Sequence, residues 1–148
     1  MANYYPPVGF HFQVNFTGLK ADDRDAHFQS VSGLDVSMQT ESIKEAGENR
    51  FEHELPVRTN YSELTLKRGF YKGSGLIDWI NKAFQNMEFQ PVDLQVVLLN
   101  EGHEPLVTWD VVHAWPKKWT FSDLNAMQGE VFIETLQLHY NYFTVTTH

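Results

Sequence analysis

Alternating apolar and polar residues run through most of this sequence, and that pattern restricts the chain to a fold built mainly from β-strands. In the segment from Phe10 to Phe16, aromatic or aliphatic residues occupy every second position, and His11, Gln13 and Asn15 lie between them. Because successive side chains of a strand point to opposite faces, one face of this segment is apolar and the other is polar. The segment is therefore predicted to be a half-buried strand.

The same pattern predicts further strands along the chain. They are Ala26 to Val31, the two arms of a hairpin within 34–57, Leu64 to Lys67, Asp93 to Asn100, Leu106 to Ala114, and a final strand from about Glu130 to Val145. Pro116 to Lys118 is interpreted as a turn between a strand and a loop, because proline is rare inside sheets.

The hairpin within 34–57 is predicted to have two distinct faces. In the first arm Leu34, Val36 and Met38 alternate with polar residues, and in the second arm Phe51, His53, Leu55 and Val57 alternate with Glu52, Glu54 and Pro56. Its polar tip, Lys44 to Asn49, is longer than the tight two-residue type. An isolated hairpin is marginally stable in water, so this one needs support from elsewhere.

One segment has a helical period instead. Leu76, Ile80, Ala83, Phe84 and Met87 form a single stripe along a helix. Ser74 is a candidate N-cap, and Asp78 lies in the first turn, where the helix dipole favours a carboxylate. The predicted order is β-β-β-β-β-α-β-β-β, which indicates one mainly β domain over residues 1–148 with a single helix.

Charge and cysteine content exclude several functional classes. The 148 residues carry 11 Lys and Arg against 19 Asp and Glu, a formal net charge of −8, which disfavours duplex nucleic acid and anionic membrane surfaces as partners. The chain has no cysteine, so disulfides, thiolate metal sites and cysteine nucleophiles are excluded. The first ten residues lack the features of a secretory signal, and the longest aliphatic run, Val96 to Leu99, is too short to span a bilayer. We expect a protein that is cytoplasmic when made and does not insert into a membrane.

The glycine-rich stretch RGFYKGSGLIDWI, at 68–80, suggests a phosphate-binding loop. A Walker loop requires a lysine directly after its last glycine, whereas here Lys72 precedes Gly73 and no lysine follows Gly75. The dinucleotide fingerprint also fails, because no third glycine has the required spacing. The stretch is therefore interpreted as a turn that leads into the helix, and no cofactor is expected.

Other candidate sites also favour structural roles. The seven histidines show no metal-ligand spacing such as H-E-x-x-H, so no metal site is predicted. The serines lack a G-x-S-x-G elbow, and no two carboxylates are paired by sequence, so no catalytic residue is predicted. The aromatic residues Trp109, Trp115, Trp119 and Phe121 could line a ligand pocket, but core or subunit interface is favoured, since tryptophan is enriched in both.

With these residues identified, the chain resembles the phage tail-tube protein family, in the branch found in contractile injection systems. The matching segments occur in order. They are YYPPVGFHFQV near the start, FQSVSGL at 28–34, ENRFEHELP at 48–56, LKRGF at 66–70, DWI at 78–80, LLNE at 98–101, AWPKKW at 114–119 and LNAMQGEVFIETLQLHYNYF at 124–143. The tip at 45–49 departs slightly from the double-glycine form of this branch.

The resemblance implies a β-sandwich or barrel-like fold with one flanking helix, in which six copies form a ring and rings stack into a hollow tube. The expected partners are sister copies, a sheath, a spike or baseplate, and neighbouring tube proteins, without nucleic-acid specificity. The mature location would be an assembled phage tail-like particle. The family has no catalytic residues to carry over.

If the chain is a subunit of such a tube, the hairpin is expected to have two roles. Its tip and the start of its second arm are expected to contact a neighbouring subunit, and its polar side chains are expected to face the lumen. The contact set is Lys44, Glu45, Gly47, Glu48, Asn49, Arg50 and Phe51; the lumen set is Asp35, Ser37, Gln39, Glu41, Glu52 and Glu54. Val36, Met38, Phe51 and Leu55 are expected to pack inward. An acidic wall would repel acidic cargo.

Three other interpretations stay open at this point. The chain could form the baseplate-proximal ring that initiates the tube, which the YYPPVGFHF opening and the tryptophan-rich 109–119 segment favour slightly. From another class, a monomeric β-barrel could bind a small apolar ligand with Trp109, Trp115 and Phe121 as pocket walls. A hydrolase using histidine and carboxylates ranks third and has no motif behind it.

Overall fold

A computed structural model of the chain describes residues 11–19, 27–43, 47, 53–69, 75–122 and 132–148. It contains ten strands and one helix in these ranges. In chain order they are β1 His11–Phe16, β2 His27–Phe28, β3 Ser30–Ser32, β4 Val36–Ile43, β5 His53–Tyr61, β6 Leu64–Gly69, α1 Gly75–Asn86, β7 Val92–Leu99, β8 Pro105–Phe121, β9 Ile133–His139 and β10 Tyr142–Thr147. The mainly β composition with one helix is as predicted.

The strands form two antiparallel sheets that share β8, together with a separate hairpin. Sheet A has the order β2-β1-β7-β8-β10, and sheet B has the order β8-β9-β6-β3. The hairpin consists of β4 and β5. Neither sheet closes into a barrel, since the order runs from β2 to β3 without returning.

The shared strand β8 changes sheet at a bulge. Ala114 pairs with Val92 and Val111 pairs with Leu94, so two residues, Val112 and His113, oppose Asp93 alone. His113 has a φ of 63°, and its N–H donates to the Asp93 carboxylate at 3.0 Å. A bulge bends its strand and increases the local twist. The bend directs the first part of β8 into sheet A and the last part into sheet B.

Three of the predicted strands differ from the structure. β8 continues through Pro116 to Lys118 instead of turning there, because a second bulge between Pro116 and Lys118 accommodates the proline. The predicted final strand is a hairpin of β9 and β10 that turns at Tyr140 and Asn141. The predicted strand Ala26 to Val31 is also divided, into β2 and β3, and Ala26 lies outside the described residues.

The core lies between the two sheets and α1. Val14 of β1 and Val96 of β7 come from sheet A, and Leu66 of β6 and Leu136 of β9 come from sheet B; all four are almost fully buried. The helix adds Leu76, Trp79 and Ile80 to the same cluster. This arrangement is a β-sandwich with a flanking helix, as expected.

The apolar stripe of α1 is buried over its first two turns only. Leu76, Ile80 and Ala83 are buried, as predicted, whereas Phe84 and Met87 are 41% and 73% exposed. The helix ends at Asn86, and Met87 adopts a left-handed φ of 55°, which directs its side chain away from the stripe. Trp79 donates its indole N–H to the carbonyl of Gln90 at 2.7 Å and so secures the segment after the helix.

Candidate assembly surfaces

The β4–β5 hairpin is the most exposed part of the described structure. Every residue of both strands is exposed except Tyr61, which is half-buried at the root. Five large apolar side chains lie between 44% and 52% exposed: Val36, Met38, Ile43, Leu55 and Val57. Val36, Met38 and Leu55 therefore do not pack inward within a single chain, in contrast to the expectation, and Phe51 lies outside the described residues. An exposed apolar surface of this kind marks an interaction site.

The register of the hairpin divides the predicted lumen residues between two faces. Ser37 pairs with Asn60 and Gln39 with Arg58, and by alternation Glu41 lies on the same face of β4. Glu54 pairs with Ser42, which is the neighbour of Glu41, and therefore lies on the opposite face. A bulge at Val57, between the Gln39–Arg58 and Thr40–Pro56 pairs, separates the two parts of the hairpin.

The remaining predicted hairpin residues are only partly placed by the structure. Asp35 is exposed directly before β4, and its carbonyl accepts a hydrogen bond from the Ser62 N–H at 3.2 Å. Of the tip, only Gly47 is described, with a left-handed φ of 89°. Lys44, Glu45, Glu48, Asn49, Arg50, Phe51 and Glu52 lie outside the described residues.

The root of the hairpin is anchored by aromatic rings. The Tyr61 ring lies 5.9 Å from the Tyr140 ring and 5.1 Å from the Phe143 ring, both in edge-on geometry. The Tyr140 hydroxyl donates to the carbonyl of Gly33 at 3.2 Å. Burial raises the pKa of Tyr140 to about 12, with smaller contributions from Asp35, Glu63 and Tyr61. The hairpin therefore projects from a fixed base.

Gly33 allows the close approach that positions this base. Its φ is +89°, and a Cβ at this position would lie 1.8 Å from the carbonyl oxygen of Glu63. Only glycine tolerates both conditions. Glycine at position 33 is thus a packing requirement, because it lets the segment before β4 approach the segment between β5 and β6.

A polar cluster lies beside this base, on the outer face of sheet B. One oxygen of the Glu63 carboxylate accepts hydrogen bonds from Lys117 at 2.9 Å and from His139 at 3.2 Å. Burial alone would raise the pKa of Glu63, but the hydrogen bonds and charges of Lys117 and His139 outweigh it, so the pKa is lowered. The cluster ties β8 and β9 to the end of β5.

The sheets end at strands with one free edge. β2 pairs only with β1, β3 only with β6, and β10 only with β8 in the part of the chain that the structure describes. β10 spans six residues, Tyr142–Thr147, with exposed Tyr142 and Val145. An unpaired edge presents a row of N–H and C=O groups that can pair with another chain.

The candidate pocket residues lie in separate contacts. Trp109 packs against the core, and Trp115 contacts Phe89 and His139. Phe121 contacts Trp119, whose indole N–H donates to the buried Glu134 carboxylate at 2.8 Å. Trp109 and Trp119 pack against the core, whereas Trp115 and Phe121 lie in contacts at the sheet surface, so the four residues are not gathered around one pocket.

The other predicted features carry no catalytic geometry. Most of the predicted turn that leads into α1, residues 70–74 with the candidate N-cap Ser74, lies outside the described residues. Among the described residues, no group of three or more His, Asp or Glu side chains could hold a metal ion. Within the same ranges, no helix has the length and hydrophobicity needed to cross a membrane.

Known proteins share this fold along nearly the whole chain. A chain of the anti-feeding prophage baseplate is 27% identical with a TM-score of 0.81, covering 99% of this chain and 98% of that one. A chain of the sheath-tube complex of an extracellular contractile injection system, PVC, is 26% identical with a TM-score of 0.75, covering 99% and 95%. Hcp1 from Flavobacterium johnsoniae shares the fold at 13% identity and a TM-score of 0.61, covering 93% and 96%.

Two sequence comparisons gave different results, and the one with protein families agrees with the structural likeness. No curated protein sequence matches the chain significantly. The profile of one family, described as T4-like virus tail tube protein gp19, matches residues 8–144, which is more than nine tenths of the chain. This chain therefore belongs to the T4-like virus tail tube protein family.

Proposed function

We propose that this protein is a structural subunit of the inner tube of a phage tail-like contractile injection system. Six copies form a ring, and rings stack into a hollow conduit. The observation that carries this proposal is the β4–β5 hairpin, which projects from a fixed root and exposes apolar side chains such as Met38, Leu55 and Val57 on both faces. A single chain leaves that surface in water, whereas a sister copy would cover it.

The open sheet edges support the same arrangement. Pairing of β10 or β2 with a strand of a neighbouring copy would satisfy the edge N–H and C=O groups. A head-to-tail contact of this kind closes into a ring when its rotation closes. For a durable ring, each contact should bury on the order of 1,600 Å² in total, as specific interfaces do.

The structural relatives indicate the neighbours of such a ring. One lies in a baseplate and another in a sheath-tube complex, so a sheath and a baseplate are proposed partners here. The role is mechanical and non-catalytic, and residues 1–148 act as one tube domain. The alternative of a tube-initiating ring is not better supported by these relatives than a ring of the tube body. The ligand-binding barrel loses its basis, because the sheets are open and its proposed pocket residues are separated.

The lumen assignment is proposed for one face of the hairpin. Ser37, Gln39 and Glu41 share a face, and Asp35 has the same parity just before the strand. On β4 this face carries polar and acidic groups that would repel acidic cargo, whereas the partner positions on β5 include Leu55 and Arg58, so the proposed wall is mixed in character. Glu54 lies on the opposite face, so it provides an internal comparison.

Deleting the tip tests the proposal. Removal of 44–50, the tip residues proposed to contact a neighbouring subunit, should abolish rings in negative-stain images, while circular dichroism still reports a folded β protein. Met38→Glu should weaken ring formation too, because it places a charge on the exposed apolar face. Phe84→Glu on α1 is the matched control, since it alters a side chain of similar exposure away from the hairpin. Rings that persist in both hairpin variants would refute the hairpin as the assembly surface.

A further inference from the structure

Two histidines far apart in sequence meet at one end of sheet A. His11 Nε2 lies 3.1 Å from His103 Nδ1, and the ring centroids are 4.8 Å apart with the planes tilted by 49°. Both side chains are accessible to solvent, since His11 is half-buried and His103 is exposed. The inner-tube function proposed above makes no use of this pair.

The spacing of the two nitrogens suits a shared metal ion. Zinc binds imidazole nitrogen at about 2.0–2.1 Å in a tetrahedral arrangement, which places two ligand nitrogens about 3.3–3.4 Å apart. The observed 3.1 Å, a hydrogen-bond distance between the two rings, is about 0.2–0.3 Å shorter than that value. We propose that His11 and His103 form a chelating site for one divalent late-transition cation of the zinc type, whose other coordination positions are filled by water.

One histidine lies in a strand and the other in a hydrogen-bonded turn. His11 is the first residue of β1 and pairs with Leu99 of β7. His103 lies in the β7–β8 turn with a left-handed φ of 60°, and its N–H donates to the carbonyl of Asn100 at 3.0 Å. The Asn100 side-chain oxygen accepts from the N–H groups of Gly102 and Glu104 at 2.9 and 3.0 Å. A preorganised pair loses little freedom when it binds an ion.

The chemistry of the site favours some cations over others. Imidazole suits zinc, copper and nickel, whereas magnesium and calcium require oxygen ligands. Glu101 and Glu104 belong to the same turn, and the chain has a formal net charge of −8, so the surroundings attract cations. The bound ion would join the start of β1 to the β7–β8 turn and stabilise this end of sheet A.

Equilibrium dialysis of the untagged full-length protein against zinc chloride tests the site. The wild type should bind one zinc ion per chain, and zinc should raise its melting temperature, whereas magnesium should not. His11→Gln and His103→Gln should each weaken zinc binding by roughly tenfold or more, because loss of a direct ligand exceeds the typical effect of losing an outer partner.

His148→Gln is the matched control. His148 is another exposed histidine of sheet A, where it contacts Thr108 instead of a second histidine. This variant should keep the full zinc stoichiometry and the full thermal shift. Failure of the wild type to bind zinc, or equal binding by His11→Gln and wild type, would overturn the proposal. Neither result depends on whether the chain forms rings, which is tested separately by imaging.

Discussion

Arg68 and Glu134 form an ion pair inside sheet B, with Nε of Arg68 3.0 Å from Oε2 of Glu134 and both side chains at most 5% exposed. The other carboxylate oxygen accepts from the Trp119 indole N–H at 2.8 Å, and the Arg68 guanidinium lies 5.1 Å from the centre of the Phe28 ring. Through these contacts the pair links β6, β8 and β9 with β2.

Removing one partner of this pair should be strongly destabilising. Glu134→Ala breaks this buried ion pair, and loss of one partner of such a pair typically lowers the free energy of unfolding by about 3–5 kcal/mol. Urea denaturation at one fixed protein concentration measures the change, because assembly also contributes to stability. Lys117→Met removes a half-exposed partner of Glu63 and should change stability by about 1 kcal/mol or less. Equal effects of the two substitutions would contradict the buried role of the Arg68–Glu134 pair.

Gly33 should be far less tolerant of substitution than another glycine of the same conformation. Gly18 has a φ of +83°, and nothing lies within 4 Å of a Cβ built there. Gly18→Ala should therefore cost only the left-handed backbone penalty, roughly 1–2 kcal/mol. Gly33→Ala adds a collision with the Glu63 carbonyl, so it should destabilise the fold well beyond that amount. Similar unfolding midpoints for the two variants would show that the backbone at Gly33 can move away.

Alkaline pH should weaken the root of the hairpin through Tyr140. Its pKa is raised from 10.0 to about 12 in the folded protein. Because the folded state disfavours the phenolate, protonated Tyr140 contributes to the free energy of unfolding. This contribution is fully present below pH 10 and is lost as the pH rises towards 12. Tyr140→Phe removes the hydrogen bond to the carbonyl of Gly33. Its free energy of unfolding should therefore be lower by about 1 kcal/mol at neutral pH.

The same variant should decline less steeply in stability between pH 10 and 12, as measured by urea unfolding at several pH values. Tyr142→Phe alters an exposed ring in the same turn and is the control, which should follow the wild type. A Tyr140→Phe profile parallel to that of the wild type would contradict the assigned cause of the pKa shift.

The two faces of the hairpin should differ in their effect on the lumen. Glu41→Lys changes the face proposed to line the channel, and Glu54→Lys changes the opposite face. Only the first substitution should make the channel wall more positive in a reconstruction of the assembled tube. A map with Glu41 on the outer surface would refute the lumen assignment.

Much of the fold follows from local patterns in the sequence. The alternation in Phe12, Val14 and Phe16 predicts β1, and the buried spacing of Leu76, Ile80 and Ala83 predicts α1, since both depend on neighbours along the chain. The path of β8 through Pro116 could not be predicted, because it depends on a bulge formed against β9. The β9–β10 turn at Tyr140 and Asn141 contains neither glycine nor proline, and Asn141 alone is a weak turn signal inside a long apolar segment.

The candidate sites, like the fold, could be predicted from the sequence only in part. The two-faced hairpin is visible in the sequence, but the face of Glu54 depends on the bulge at Val57, which only the pairing reveals. The Arg68–Glu134 pair is separated by 66 residues, and the His11–His103 pair by 92. Such contacts depend on how the strands are arranged in space, so they cannot be predicted from the spacing of the residues along the chain.

In the proposed tube, sister copies complete the open edges of this fold. The most direct test of this proposal is the mass of the purified full-length chain in solution at increasing concentration, combined with negative-stain imaging of the same samples. A mass of six chains, with rings that have a central hole and stack end to end, is the predicted result. A chain that stays monomeric at the highest concentration, as a compact particle without a hole, would contradict it.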